Sequence, residues 1–246
     1  MNYNEYNLSS KERILLITCI FILACIISRL FFGVWAIGLM GFLVIKKAVA
    51  LYKSYRIKQR KKVVLYQFKD CLYSFSSSFF SGRHMPEAIK EAIVYLTSIY
   101  GEKALLVNEL CNMSSSIESA KEDDCILWIT FGNKSGIEDI QNFAEIYACC
   151  RETGGDLTEV VNRAAKIISD KIDTEKQIDS MLSQRKLEGR MIATMPIVIL
   201  LFLNLTAADH IKVMYVTWQG HLIMAVLIAI MALGLYIIER IVNIEI

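Results

Sequence analysis

The chain has 246 residues, 54% of them hydrophobic and 21% charged, with a net charge of only +2. The charges are segregated: the one basic run, in residues 46–62, could be read as nucleic-acid binding, but its place beside an apolar block favours a membrane-edge role. Seven cysteines, an odd number with no CxxC pair, do not make a disulfide framework and fit scattered packing residues in a reducing compartment.

Residues 1–13 form a short polar start that includes Lys11 and Arg13. An apolar block then runs from Ile14 to Ile45, interrupted by Arg29. A bilayer core about 30 Å thick takes roughly 20 apolar residues in a helix, so this block overshoots a single span. It reads as a hairpin of two short membrane helices, 14–28 and 30–45, with Arg29 at the turn. There the charge escapes the cost of about 2.5–3.5 kcal/mol that it meets at mid-membrane. One tilted span with a snorkelling Arg29 is the competing reading. A cleaved signal peptide is not expected, because the apolar run outlasts a signal core and no small-residue cleavage site follows it.

Residues 46–62 read as a basic juxtamembrane linker. Lys46, Lys47, Lys53, Arg56, Lys58, Arg60, Lys61 and Lys62 fall here with no acidic residue among them. At a membrane edge such a run is a topology signal and a contact for anionic lipid.

Residues 63–190 carry 14 Lys/Arg against 20 Asp/Glu, a net of −6. Their apolar residues recur every three or four positions, which is the helical period. Leu65, Phe68, Leu72, Phe75 and Phe79 make one stripe. Ile89, Ala92, Ile93 and Leu96 make a second, and Leu105, Leu106, Leu110 and Met113 a third. Ile126, Leu127 and Ile129, with Trp128, mark a short fourth helix. Ile137, Ile140, Phe143, Ala144 and Tyr147 mark a fifth; Leu157, Val160, Val161, Ala164, Ile168 and Ile172 open a sixth. No two-residue alternation persists, so a sheet is not expected.

The punctuation agrees. Ser81-Gly82 closes the first helix, Pro86 opens the second where its missing N–H costs nothing, and Gly101 closes the second. Ser135 and Glu138 have the spacing of a capping box, and Asp156 is placed to cap the helix that follows it. Gly154-Gly155 separates the fifth and sixth helices. Beyond Leu157 only Gly189 and Pro196 interrupt the pattern before Ala207. A near-continuous rod of roughly 70 Å is expected, entering the membrane and kinked there by Pro196. Two helix starts resemble each other: Gly82 to Glu87 around Pro86, and Gly155 to Glu159 after Gly154. In each, a glycine precedes a first-turn glutamate that complements the helix dipole. Capping and turn formation account for each motif taken alone; together they point to a repeated pair of helical hairpins.

Residues 191–238 form a second apolar block, broken at Ala208–His221 by Asp209, His210, Lys212, Gln219 and His221. This gives a second membrane hairpin, and 239–246 make a short tail. The basic residues flank the membrane segments on the side of the termini and the 63–190 domain, while the outer turns hold only Arg29 and Lys212. The termini and the domain are therefore expected in the cytoplasm, beneath a cell membrane crossed several times. The expected fold is all-α: four membrane helices in two hairpins flanking a cytoplasmic six-helix bundle whose last helix continues into the membrane.

Catalytic patterns are missing. The three histidines, His84, His210 and His221, have no metal-ligand spacing, and there is no GxxxxGK[ST] loop or GxSxG elbow. Asp123-Asp124 reads as a solvated helix start rather than a cation site. Neither cofactor nor metal is expected.

Phe68–Ala92 (FKDCLYSFSSSFFSGRHMPEAIKEA) resembles the opening of the type II secretion system F domain, and Asp139–Leu203 resembles its second half, with Arg-Glu-Thr-Gly-Gly, then Asp-Leu-Thr-Glu-Val-Val, a long charged helix, and membrane entry at Gly189-Arg190-Met191. The layout is similar to that of the single-domain platform proteins of tight-adherence (Tad, Flp-type) pili. Arg83-His84 is more polar than that pattern, and the amino-terminal part is short. The resemblance implies a non-enzymatic platform in the cytoplasmic membrane. It would couple a hexameric secretion ATPase to pilin assembly and pair with itself or with a sister F-domain protein. It also implies that Gly82, Pro86, Glu87, Gly154, Gly155 and Glu159 shape the domain and its contacts. Two other classes remain open: a membrane signalling protein with a helical relay, which calls for a larger outer region than the short turns provide, and a membrane enzyme, which calls for converging polar residues.

Overall fold

The stripes read from the sequence become the buried faces of helices. The structure, a computed structural model, describes residues 14–15, 17–22, 25–26, 28, 41–207 and 215–242. The expected turn at Arg29, residues 208–214 of the second expected break and both termini lie outside them. All regular structure among the described residues is helical, and no strand occurs among them. The chain divides into two units, one containing Lys53–Thr174 and the other the flanking segments Leu8–Tyr52 and Glu175–Ile246.

In the first unit, α1 (Gly41–Phe80) supplies the central stripe: Phe68, Leu72 and Phe75 are fully buried. The basic stretch expected as a linker is helical throughout and forms part of α1. Nothing in it breaks a helix: it has no Gly or Pro, and Lys, Arg and Gln are good helix formers. After the turn at Gly82, α2 (Met85–Tyr100) runs antiparallel to α1. The Tyr100 hydroxyl donates to Asp70 Oδ2 (2.5 Å) at one end, and Ser78 donates to Glu91 nearer the other. Pro86 lies in the first turn of α2, and Gly101 ends the helix at φ 80°.

Helix α3 (Leu105–Ser115) continues into a π-helical turn, Ser116–Ala120, that stops at Lys121 in a left-handed conformation (φ 51°). One free N–H at the start of α3 is met from α1: Leu106 N–H donates to the buried Gln67 Oε1 at 3.0 Å. Helices α4 (Asp124–Ser135) and α5 (Glu138–Thr153) pack on each other, and α6 begins at Leu157. Trp128 of α4 is fully buried at the centre of the unit. Rings of Phe68, Phe75, Phe131 and Phe143 surround it at centroid distances between 5.4 and 6.1 Å.

Of the residues that mark α4, Trp128 is buried and Leu127 packs partly buried against the core, while Ile126 and Ile129 are exposed; Phe131 is the other large apolar residue that the helix buries. One local expectation is corrected. Ser135 and Glu138 do not form a capping box. Ser135 is the last residue of α4, its buried hydroxyl donating to Gly132 O (2.8 Å) and accepting from Ile137 N–H (3.2 Å). Gly136 then ends α4 at φ 60°, and Lys61 of α1 donates to its carbonyl at 3.0 Å. Such a cation at a helix C-terminus is favoured by the dipole.

In the second unit, α6 continues to Thr206 as part of one unbroken 50-residue helix with Pro196 inside it. Neither Gly189 nor Pro196 ends it. After the undescribed residues, α7 spans Trp218–Val242, beginning before His221. Leu200 of α6 packs against Met224 of α7, with Ile197, Tyr215, Leu227 and Ile228 around them. Asn204 Nδ2 donates to the Tyr215 hydroxyl at 2.9 Å. Among the described residues α6 alone is long and apolar enough to cross a membrane, and only 6% of its apolar stretch is buried. The apolar run of α7, Trp218–Gly234, is shorter.

Candidate functional site

The six residues marked by sequence sit in two helix-hairpin turns. Gly82 has φ 77°, a conformation that side-chain-bearing residues rarely adopt, and its N–H donates to Phe79 O at 2.9 Å. Pro86 and Glu87 lie in the first turn of α2, where Glu87 Oε2 accepts from the His84 N–H at 3.4 Å. Gly154 closes α5 at φ 73°. Gly155 passes so near Cys150 that an added Cβ would lie 3.2 Å from its Sγ. The expected cap on α6 is present: Asp156 Oδ1 accepts from Thr158 N–H (2.8 Å) and Glu159 N–H (3.3 Å). Each of the six thus has a local structural task; Glu159 lies in the first turn of α6, where its charge complements the dipole, but its exposed side chain makes no ion pair or hydrogen bond among the described residues.

One hydrogen bond brings the two turns together. Ser76 Oγ on α1 donates to Asn162 Oδ1 on α6 at 2.6 Å. Gly82 follows Ser76 and Gly155 precedes Asn162 by a comparable number of residues, so both turns lie at one end of the first unit. That end also presents Phe80, which is 85% exposed. Sequence reading passed over Phe80, although its position beside rather than on the buried stripe was a signal that it faces outward. Arg83, at the same turn, is paired with Glu91. This end therefore combines an exposed aromatic ring and an unpaired carboxylate beside two helix turns. Large aromatic residues are over-represented among the residues that dominate protein–protein binding.

A second polar cluster joins α4 to α5. The Asp123 side chain caps α4 by accepting from Cys125 N–H at 3.0 Å. The buried Asp124 carboxylate accepts from the Tyr147 hydroxyl at 2.8 Å. Arg151 lies against both carboxylates, 2.7 Å from Asp123 Oδ1 and in contact with Asp124. The Cys125 N–H first, and Arg151 next among the favourable partners, hold the Asp123 carboxyl below its usual range. Burial pushes the Cys125 thiol and the Tyr147 phenol up. Asp123, Asp124 and Cys125 bring possible ligand atoms within 4.8 Å of one another, but Arg151 already fills the place of a balancing cation. The cluster is a clasp between two helices, and it contains no nucleophile paired with a base. Cys71, also buried, is likewise held in its thiol form by desolvation.

No family model, curated protein or solved structure matches the chain.

Proposed function

We propose that the chain is a platform protein of the cell membrane, related to the F-domain components of type IV-like pili and type II secretion machines. In this reading, 14–45 and 191–238 form two membrane hairpins, and the helical unit works in the cytoplasm. There it couples a hexameric secretion ATPase to the movement of pilin subunits. The observation that carries the proposal is the continuity of α6. One helix starts at the Gly154-Gly155 turn, bears the unpaired Glu159 in its first turn, and ends in a stretch whose apolar side chains are outward, among them Ile192, Val198, Phe202 and Leu205. Exposed apolar surface on that scale calls for a lipid or protein cover. In this reading the helix links the cytoplasmic unit to a membrane segment within one stretch of chain. The acidic character of residues 63–190 and the basic start of α1 agree with a domain held beneath an anionic leaflet.

The double-turn end, with Phe80 and Glu159, is assigned as the face for the ATPase. The test is purification of the tagged full chain from native membranes in mild detergent, with partners identified by mass spectrometry. Recovery of a secretion ATPase, and its loss in Phe80→Ser and Glu159→Lys while the chain stays folded, is the expected result. Recovery of a kinase, or of no secretion component while filaments are being built, overturns the proposal.

A further inference from the structure

A groove of about 380 Å³ runs along the seam between α5 and α6. Phe143 and Ile168 are buried at its floor, while Ile146 and Ile167 stand on its walls, 49% and 56% exposed. Its lining on α6 runs from Val160 to Ile168, a length of about 12 Å at 1.5 Å per residue, or roughly two helical turns. That side is an apolar stripe with one charge in it, Arg163. Arg163 is exposed and has no hydrogen bond or ion pair among the described residues. The other charge that lines the groove, Asp139, is held by Lys171 at 2.9 Å. The remaining polar residue of the lining, Asn142, is uncharged. The groove therefore presents apolar surface and one unanswered positive charge.

We propose that this groove is the docking site for an acidic amphipathic helix of a partner protein. The helix brings two aliphatic side chains, three or four residues apart, and a carboxylate within one turn of them. Each part of that description follows from the groove. Its half-exposed isoleucine walls leave it open along its length. A small ligand there would stay wet on its outer side, whereas small-molecule sites enclose about 70–90% of what they bind. A longer segment covers the walls as well as the floor. That segment is helical, because both sides of the groove are helices whose backbone groups are bonded within themselves. An extended chain laid there would hold its own N–H and C=O groups unpaired against apolar surface, while a helix satisfies its own. Length sets the number of anchors: about 12 Å admits one pair of side chains at i and i+3 or i+4. Charge sets the sign. A wholly apolar helix, or a basic one, would strip water from Arg163 and give it no counter-ion, which is the costly way to cover a charge. A carboxylate over Arg163 accepts charge-assisted hydrogen bonds from the guanidinium instead. Asp139 makes no such demand, since Lys171 already answers it. The aliphatic pair then carries the affinity, and the Arg163 pairing fixes the orientation and rejects basic helices. This inference rests on neither the membrane nor the pilus reading.

The experiment screens the full chain, held in lipid nanodiscs, against a phage-displayed library of alanine-based helical peptides randomised at four positions of one face. Ala164→Trp, which fills the groove, and Ile167→Asp, which charges its wall, are screened in parallel. The expected result is enrichment, on the unaltered chain and not on these two, of peptides with an aliphatic pair three or four residues apart and an Asp or Glu within a turn. Arg163→Glu should turn the selected charge to Lys or Arg, which a folding defect would not do. For one selected peptide, followed by fluorescence anisotropy, replacing its acid by the matching amide, or Arg163→Gln in the chain, should weaken binding by about tenfold. A photo-crosslinking residue in place of Ile167 should join that peptide to the chain. Helix content and melting of each variant serve as the folding control. No enrichment above the groove-filled variant, selected peptides without an acid, or a charge preference unchanged in Arg163→Glu overturns the proposal. So does an Ile167 crosslink, formed without peptide, to a second copy, to lipid or to another part of the same chain.

Discussion

Removing one hydroxyl from the α4–α5 clasp tests how the first unit is held together. In Tyr147→Phe the ring remains in its packed place, stacked 6.2 Å from Phe143, while the 2.8 Å hydrogen bond to Asp124 is lost. The Asp124 side chain is only 7% exposed, so water does not replace the missing donor freely. Leaving a buried acceptor unmatched costs about 1–3 kcal/mol. For a chain of this size, each kcal/mol moves the melting temperature by about 2–4 °C, so a drop of about 2–12 °C is expected. The assay is thermal unfolding of the full chain in detergent, repeated with Asp124→Ala and with the double variant. Once Asp124 is absent, the hydroxyl has lost its acceptor, and Tyr147→Phe should cost little more. The coupling should therefore stand clear of the roughly 0.5 kcal/mol within which independent sites add. If Tyr147→Phe costs the same with and without Asp124, the two residues do not act together and the clasp is not what joins α4 to α5.

Trp128→Ala should destabilise the first unit by about 3–5 kcal/mol, read as a large loss of melting temperature, because four aromatic rings close on the indole. Gly82→Ala and Gly154→Ala should each cost about 1 kcal/mol or more through positive φ alone, since open space surrounds both positions, and melting curves read this directly. Raising the pH should weaken the fold through Tyr100 and Tyr147. Burial, first among the causes, raises both phenols, Tyr100 to about 12, so their contribution is intact below about pH 10 and is lost as pH climbs through the folded values. Tyr147→Phe should remove part of that alkaline decline, and a pH series of melting temperatures checks it.

The helices of the first unit were legible because each places an apolar residue every three or four positions against a shared core. Gly82, Gly101 and Gly154 were legible as stops, since a left-handed turn leaves few other choices of residue. Ile126, Leu127, Trp128 and Ile129 marked α4 without showing which face turns inward; the face that carries Trp128 does, since the larger ring had more to gain from burial. Ser135 was misread because the capping-box spacing looks the same whether the serine begins one helix or ends another; the left-handed Gly136 decides it. The continuity of α1 through 46–62 was hidden by charge, which sets where a helix sits but does not break it. Arg151 and Lys171 acquire their meaning only when α5 is laid beside α4 and α6, since their partners Asp123, Asp124 and Asp139 are distant in sequence. The end formed by the Gly82 and Gly154 turns could be foreseen as two similar motifs, but not as one place until Ser76 was seen bonded to Asn162.

The central claim is that apolar segments hold the chain in a cell membrane with the helical unit on the cytoplasmic side. Protease protection in membranes of opposite sidedness tests it most directly. In spheroplasts of a bacterium expressing the full chain, external trypsin should leave residues 53–190 intact and cut at most at Arg29 and Lys212. In inverted vesicles it should remove that region and leave only fragments from 14–45 and 191–238. Digestion of the helical unit in intact spheroplasts, or recovery of the chain in the soluble fraction after lysis, would contradict the account.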